Sequence, residues 1–502
     1  MPFPGPTQRT NTSRIITKQR PTASKNQQHI HAKQHQSSRI KQPHSRFHCF
    51  STIGILFLLT GGSCCALLFG MGIFSSFFGR NSTKAANSSG SAVSFSKLHH
   101  SSFALQTAAA RAAATTTENV CSNNNNMSTD DENTRTEMEN RLKGALWAFF
   151  AGDALASPTH WYYGGASQVV AEYGHPIRDY TKPNTHLSGS ILNKSDPNGG
   201  GRIKSSLGSK SSKISIIGDV INHGKLSYWD PKQSYHYHAT LQKGENTLEA
   251  TLARVLMKSI VENHGSFDAD HFRTKYIEFM QRKGSHNDTY ASTCHRMFFA
   301  NLAFNKLPPK DCPDNDSHNV DTIDGLVLPT IVALTGIIRK NPSTTIAESA
   351  GDCAGVTRKS NILRDTANRW SNVVAGAFGS DTCFSDSLTT FAKQTIRRSP
   401  DSKVRDASTM SACYLDGSLP GLVDMVAKYH ASDGSGEAVW TALLSNANVG
   451  GENVHRASIM GAILGARAGY DSLPDKLVDG LYARSELEQE IEAFVNAVLS
   501  PN

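Results

Sequence analysis

The sequence predicts an all-α fold, and two features of residues 137–502 support this prediction. Apolar side chains recur there with the spacing of helix faces, and short polar joints separate the apolar segments. Segments with the alternation typical of a half-buried β-strand are few, and no segment recurs with the period of a solenoid repeat. We therefore expect one all-α domain over residues 137–502, preceded by a basic leader and one hydrophobic segment.

The leader differs from the rest of the chain in charge. Residues 1–117 contain no Asp or Glu and 13 of the 51 Lys and Arg residues, which leaves 38 basic and 43 acidic residues in the remainder. Residues 1–48 are polar, basic and rich in Gln, His, Ser and Pro, so we expect them to be disordered. Because the net positive charge lies in the leader and the domain has no basic stripe, we expect no nucleic-acid partner.

Residues 49–79 are predicted to form a transmembrane or signal-anchor helix. The uncharged segment 53–78 is long enough to span a bilayer. Since basic residues precede it, the expected topology is a single-pass membrane protein with a cytoplasmic N-terminus. Residues 80–136 are of low complexity and act as a linker or as a transit-like segment, and the alternative is a plastid or mitochondrial protein after leader cleavage.

The predicted helices of the domain follow in chain order. The first starts near Glu137 and ends at Asp153 or shortly beyond, with Pro158 as a stop. The second follows Thr247 and has one apolar face. Another begins after Glu452 and consists largely of Ala, Gly, Ile and Leu. Further helices are predicted over residues 268–282, 290–304, 325–339, 345–357, 363–378, 386–396, 420–430, 436–446 and 484–499.

Two Gly-Glu-Asn turns, at residues 244–246 and 451–453, each precede an apolar helix. The unpaired N–H groups at a helix N-terminus favour anionic ligands. If both helix starts meet in one cleft, they form the candidate active site.

Other polar residues near helix ends have structural interpretations. Asp288 precedes a helix and is expected to cap it. For Asp153, at a Gly-Asp turn, a hydrogen-bonding role and a direct catalytic role both remain open. His236 and His238 share one side of an extended segment, but no third ligand accompanies them.

Three segments resemble motifs of the ADP-ribosylglycohydrolase superfamily, which includes lens crystallins of the same fold. Residues 144–158, GALWAFFAGDALASP, resemble its opening motif, and residues 448–469, with the pattern NxGGxxxxxxxxxGAxLGAxxG, resemble its closing motif. Residues 244–257, GENTLEATLARVLM, stand where the family has a Thr-Asp-Asp-Thr turn. The resemblance implies an orthogonally packed helix bundle with a central cleft and two magnesium ions. It also implies hydrolysis of the glycosidic bond that joins ADP-ribose to a protein side chain or a similar acceptor.

The sequence departs from the family at the positions that the resemblance assigns to chemistry. His160 stands where many members have a catalytic Glu, and Glu452 and His455 replace an Asp and a Thr of the closing motif. The candidate catalytic residues are therefore His160, Glu245, Glu452 and His455. The candidate metal ligands are Glu245, Asn246, Thr247, Glu452 and Asn453. Candidate contacts to ADP-ribose are Asp321 and Asp324 at the ribose and Gly450 and Gly451 at the diphosphate. For Asp321 and Asp324, capping of the apolar helix that follows is the alternative.

The candidate site has fewer carboxylates than the family motifs, so we expect one divalent ion in preference to two magnesium ions. The expected ion is Mg²⁺ or Mn²⁺ ahead of Zn²⁺, and a site without metal is the alternative. The expected function is hydrolysis of a glycosidic bond to ADP-ribose. The alternatives are a non-catalytic ADP-ribose-binding or crystallin-like structural protein and a hydrolase of another nucleoside or sugar linkage. The expected partner is an ADP-ribosylated protein or an ADP-ribose-like small molecule, with membrane contact through residues 53–78.

Overall fold

The computed structural model describes residues 131–199, 214–314, 318–430 and 435–500. Helices dominate these ranges, and the pairings between extended segments are isolated bridges such as Thr322–Tyr414. The predicted all-α fold is therefore confirmed for the described residues, which contain no β-strand. In chain order the helices are α1 Asp131–Ala156, α2 Gly165–Tyr173, α3 Leu248–Glu262, α4 Ala269–Gln281, α5 Thr293–Ala303, α6 Val327–Ile338, α7 Ser343–Thr357, α8 Asn361–Ala377, α9 Asp381–Thr395, α10 Leu415–His430, α11 Gly436–Val449, α12 Val454–Ala468, α13 Asp475–Asp479 and α14 Arg484–Leu499.

Several helices begin where a side chain caps the first turn. Asp268 accepts a hydrogen bond from the N–H of His271 at the start of α4. Ser360, Ser380 and Ser435 do the same at the starts of α8, α9 and α11. Such caps pair N–H groups that have no partner within the helix. Local sequence thus determines where these helices begin.

The apolar helix α6 lies in the core. All of its residues except Ile337 are buried. A helix that is apolar on every face is stable only when other helices surround it. The polar segment 318–326 that precedes α6 is therefore held against the inside of the domain.

Helices α1 and α12 pack backbone to backbone in antiparallel orientation. A Cβ atom on Gly144 would overlap the carbonyl of Gly465, and one on Gly461 would overlap the carbonyl of Ala148. Further along, a Cβ on Gly152 would overlap the carbonyl of Ala457. The small residues of the opening and closing motifs are required by this close approach. The packing brings the C-terminal end of α1 to the N-terminal end of α12.

The membrane prediction is corrected by these helices. Among the helices that the structure describes, none is long and apolar enough to cross a membrane. Only α1, with 26 residues, exceeds the roughly 20 residues that a span requires, and its first half, DENTRTEMENRLK, is polar. The predicted transmembrane helix and membrane localisation are therefore not retained. The segment 53–78 on which that prediction rested lies outside the described residues.

Candidate functional site

The candidate site lies where the ends of α1 and α12 meet. His160 follows α1 after one 3₁₀ turn, whereas Glu452 and His455 lie at the start of α12. Two backbone hydrogen bonds join these segments. The N–H of Trp161 donates to the carbonyl of Gly451 (2.8 Å), and the N–H of Gly451 donates to the carbonyl of Tyr162 (3.1 Å). Residues far apart in the chain are thereby fixed next to one another.

Glu452 lies between two imidazoles. The Nε2 atom of His160 is 3.3 Å from each carboxylate oxygen of Glu452, and the Nδ1 atom of His455 is 2.5 Å from Oε1. All three side chains are buried, with 0%, 1% and 4% of His160, Glu452 and His455 exposed. One ligand atom from each lies within 4.8 Å of the others.

The electrostatics of this cluster follow from burial and mutual contact. Burial would raise the pKa of Glu452, but His455 and His160 outweigh it and hold the pKa well below its usual range. Burial would lower the pKa of His455, but the Glu452 carboxylate raises it to about 9. Burial lowers the pKa of His160 to about 4 despite the opposing effect of Glu452. At neutral pH the cluster is thus an ionised carboxylate between an imidazolium and a neutral imidazole.

A hydrogen-bonded relay continues from His160 into the core. Its Nδ1 atom is 2.7 Å from Nε2 of His238, and Nδ1 of His238 is 2.9 and 3.1 Å from the two oxygens of Asp288. Asp288 also accepts the N–H of Leu248 at the start of α3 (2.9 Å). The relay therefore connects the two helix starts that follow the Gly-Glu-Asn turns.

The hydrogen bonds of the relay depend on the tautomer of His160. When a neutral His160 donates from Nε2 to Glu452, its Nδ1 accepts a hydrogen bond from Nε2 of His238, and Nδ1 of His238 faces Asp288. Burial would raise the pKa of Asp288, but His238 outweighs it and lowers the pKa, so the relay ends on a carboxylate.

Asp153 organises the first Gly-Glu-Asn turn. It accepts hydrogen bonds from Asn246 Nδ2 (2.9 Å), Thr247 N–H (2.8 Å) and the Thr247 hydroxyl (2.6 Å). Asn246 and Thr247, predicted metal ligands, are thus hydrogen-bond donors to a buried carboxylate. The Glu245 side chain folds back onto its own turn, where its carboxylate accepts hydrogen bonds from the N–H of Gln242 (2.7 Å) and from the side-chain amide of Asn287 (3.1 Å). The structure does not bring Glu245 to the cluster of His160, Glu452 and His455.

The remaining predicted residues also have structural partners. Asn453 donates from Nδ2 to Thr159 (2.8 Å) and to the carbonyl of Ala447 (3.3 Å), whereas its buried Oδ1 atom has no hydrogen-bond partner among the described residues. Gly450 has φ +71° and abuts Tyr162, which excludes a side chain there. The N–H of Gly451 is used by Tyr162, so it does not offer a free donor to a diphosphate.

Asp321 and Asp324 are held by neighbouring side chains. Asp321 accepts a hydrogen bond from Ser360. Asp324 accepts hydrogen bonds from Thr322 and Arg358, the latter in a buried ion pair. The negative charge of Asp324 nevertheless contributes to the raised pKa of His455.

Aromatic rings lie against the cluster. The ring of Trp161 stacks on His160 with centroids 4.8 Å apart, and it also contacts Tyr163 (5.8 Å) and Tyr237 (5.7 Å). Trp161 adopts φ +66°, an unusual value for a large residue, and Tyr163 is 45% exposed. Burial and the charge of Glu452 raise the pKa of Tyr163. The rings form an aromatic wall of Trp161, Tyr163 and Tyr237 from the surface to His160, and strained residues of this kind are common at ligand sites.

A second buried ionic network, separate from the Glu452 cluster and its relay, is centred on Glu249. Glu249 of α3 accepts from His295 (2.8 Å) and Ser292 (3.2 Å), and Tyr276 contacts the other ring nitrogen of His295 (2.7 Å). Burial would raise the pKa of Glu249, but His295 lowers it to about 2. Because Glu249 also contributes to the raised pKa of His455, this network adds negative potential to the site.

The comparisons with known proteins address the same part of the chain. Residues 134–501 match the family model for ADP-ribosylglycohydrolases. The chain belongs to the ADP-ribosylglycohydrolase family. Its resemblance to that superfamily, drawn from three motifs, is thereby confirmed, and a hydrolase-type domain is established at the level of the family.

One solved structure that the chain matches is a chain from an "ADP-ribosylglycohydrolase-related protein complex". It is 14% identical, matches 72% of this chain and 99% of its own length, and has a TM-score of 0.42. A comparison with curated proteins finds no match.

The donor set of this family member does not fit two magnesium ions. Mg²⁺ requires a near-octahedral shell of oxygen ligands, commonly carboxylates and water. Here Glu452 is the single carboxylate of the cluster, and its two neighbours are imidazoles. No step that depends on two magnesium ions follows from these residues.

Sequence reasoning missed the relay and the second network. The sequence pairs His238 with His236 and predicts Asp288 as a helix cap, whereas the side chains of His238 and Asp288 meet across 50 positions of the chain. His295 and Arg358 belong to no motif, and Glu249, although it lies within residues 244–257, is not a position to which the family resemblance assigns chemistry. The one signal that pointed to them was the presence of ionisable residues in apolar segments, since such residues are rarely buried without a partner.

Proposed function

We propose that this domain hydrolyses the glycosidic bond between ADP-ribose and a protein side chain or small acceptor. The observation that supports this most directly is the position of Glu452, held between His160 and His455 at the junction of the opening and closing motifs. Membership of the family supports the reaction class, and the cluster supplies a local chemistry for it.

The charge of Glu452 suits this reaction. Cleavage of a glycosidic bond passes through an oxocarbenium-like state, in which positive charge develops on the sugar. A buried carboxylate stabilises that charge more strongly than one in water. The two imidazoles keep Glu452 ionised and fix its orientation, and His455, whose pKa Glu452 raises, is the candidate general acid.

The aromatic wall supports an ADP-ribose-like ligand. Nucleobases and sugar faces stack on aromatic rings, and the Trp161 ring itself stacks on the His160 ring of the cluster. Its Nε1 atom is buried and has no hydrogen-bond partner among the described residues, so it offers a donor to a ligand. Asp321 and Asp324, already oriented by Ser360 and Arg358, remain candidates for the ribose hydroxyls.

The test is release of free ADP-ribose by the full-length protein. Substrates would be proteins ADP-ribosylated through different side-chain linkages and O-acetyl-ADP-ribose, each with chelator, Mg²⁺, Mn²⁺ or Zn²⁺. The proposal predicts turnover of at least one linkage. A folded protein that releases no ADP-ribose from any substrate with any ion would overturn it.

A second candidate is ADP-ribose binding without hydrolysis. It is favoured by the positions of Asn246, Thr247 and Glu245, which are engaged in structural hydrogen bonds where the family resemblance implies metal ligands. Calorimetry distinguishes the two candidates. Binding of ADP-ribose together with complete absence of turnover would select the binding protein.

A further inference from the structure

The cluster at Glu452 has the composition of a single-ion site. Its potential ligands are two imidazole nitrogens and one carboxylate oxygen, all buried. Within the part of the chain that the structure describes, it is the only group of three or more His, Cys, Asp and Glu side chains that could share an ion. We propose that His160, Glu452 and His455 bind one divalent transition ion of the Zn²⁺ class, with His238 and Asp288 orienting His160.

The spacing of the ligand atoms supports this assignment. In a tetrahedral site with bonds of about 2.1 Å, neighbouring ligand atoms are roughly 3.4 Å apart. The Nε2 atom of His160 lies 3.3 Å from each oxygen of Glu452. The contact between His455 and Glu452, at 2.5 Å, is a hydrogen bond. Ion binding at Nδ1 of His455 releases the proton of that bond to solvent and requires the contact to lengthen by about 1 Å.

The relay has the form of an outer ligand shell. Histidines that bind metal usually donate their other N–H to a neighbouring acceptor, which fixes the ring and the tautomer. With an ion on Nε2, the Nδ1–H of His160 donates to His238, and the Nδ1–H of His238 donates to Asp288. Every polar hydrogen of the relay then has an acceptor, and Asp288 is itself held by the N–H of Leu248.

The donor types select the ion. Imidazole ligands suit Zn²⁺ and related first-row ions, whereas Mg²⁺ prefers carboxylates, carbonyls and water. The second buried pair, Glu249 and His295, serves as an internal comparison. It has one imidazole, and its neighbours are the hydroxyls of Tyr276 and Ser292, so it lacks the second nitrogen ligand.

The inference is tested by metal binding to the full-length protein without substrate. The metal-free protein would be titrated with Zn²⁺ and Mg²⁺ by calorimetry and with Co²⁺ by visible absorption. We expect one ion per chain and a Kd for Zn²⁺ about 100-fold or more below that for Mg²⁺. Equal affinity for Mg²⁺, or less than half an ion of Zn²⁺ per chain, would overturn the proposal.

Variants assign the ligands. H160Q and E452Q are expected to weaken Zn²⁺ binding about 100-fold, and H238Q, in the outer shell, about 10- to 100-fold. The control is H271Q, which removes a histidine that contacts Ser259 and Glu262 and should leave Zn²⁺ affinity unchanged. Unchanged binding in H160Q, or an equal loss in H271Q, would contradict the assignment.

A spectroscopic measurement on the wild-type protein tests the site even when the variants fail to fold. X-ray absorption of the Zn²⁺-loaded wild-type protein should show nitrogen and oxygen ligands with imidazole scattering. A sulfur shell would overturn the site, since Cys413 is the free thiol whose charge couples to Glu452. These measurements need no turnover, so they detect an ion even in a protein that does not hydrolyse ADP-ribose. The failure of the metal site and the failure of the proposed hydrolysis are therefore distinguishable.

Discussion

The Nε2 atom of His160 lies 3.3 Å from both carboxylate oxygens of Glu452, although 292 positions of the chain separate the two residues. The contact exists because α1 and α12 pack closely enough to bring the end of one helix to the start of the other. It predicts strong energetic coupling in the folded state.

A double-mutant cycle measures that coupling. H160Q, E452Q and the double variant would be unfolded by denaturant, and we expect a coupling free energy of about 1–3 kcal/mol, as for other contacting buried pairs. The cycle for the distant pair His160 and Glu490 serves as the control and should give a value near zero. Additive effects of H160Q and E452Q would show that the contact is not formed.

Asp153 is predicted to stabilise the first turn rather than to react. D153A leaves the N–H and hydroxyl of Thr247 and the amide of Asn246 without their acceptor, and it should lower the free energy of unfolding by about 3 kcal/mol or more. D365N, at an exposed position of α8, is the control and should change it by less than about 0.5 kcal/mol. Equal stability of the two variants would refute this role.

Gly450 is predicted to be irreplaceable for steric reasons. Its φ is +71° and a Cβ would overlap the carbonyl of Tyr162, whereas Gly174, with φ +77°, has no atom within 4 Å of the same position. G174A should therefore cost only the backbone strain, about 1 kcal/mol, and G450A several times more. The comparison uses chemical unfolding of both variants, and equal losses would contradict the packing at Tyr162.

The stability of the protein should decline on the alkaline side of neutrality. His455 has a pKa raised to about 9 in the fold, against 6.5 when unfolded. Between these values the folded chain retains a proton that the unfolded chain releases, so its stabilising contribution is complete below pH 6.5 and is lost as the pH rises through 9. The loss is of the order of 3 kcal/mol.

The measurement is the unfolding free energy of metal-free protein across this pH range. H455Q removes the titrating group and should flatten the alkaline decline. A decline of the same size in H455Q would mean that another group causes it.

Trp161 is predicted to contribute to ligand affinity. W161L removes the ring that stacks on His160 and should weaken ADP-ribose binding about tenfold or more in calorimetry. W440L, at a buried ring that packs on Tyr180, should lower stability and leave affinity unchanged. If both variants bind alike, the aromatic wall is not the binding surface.

The location of the site could be predicted from sequence because the glycine-rich motifs that create it are local. His160, Glu452 and His455 follow or begin the two helices whose small residues force close packing, and these predicted residues do meet. The role of Glu245 could not be predicted in this way. Its carboxylate reaches the N–H of Gln242 three residues earlier, and a turn of this kind competes with any distant ligand.

The relay lay beyond sequence reasoning for a different reason. Asp288, His238 and His160 are joined only by the fold, and the sequence around Asp288 predicts only a helix cap. Burial of ionisable groups is tolerated when they are paired, so the pairing becomes visible only in three dimensions. The same holds for Glu249, His295 and Arg358.

The most direct test of the proposed active site is the rate of ADP-ribose release by the full-length wild-type protein and by E452Q, with folding of each verified by its melting temperature. E490Q, which alters a carboxylate paired with Arg254 and Lys258, is the matched control. We predict release by the wild type and E490Q at similar rates and a loss of about 100-fold or more in E452Q. Undiminished release by a folded E452Q variant would contradict the assignment of Glu452 as the centre of the site.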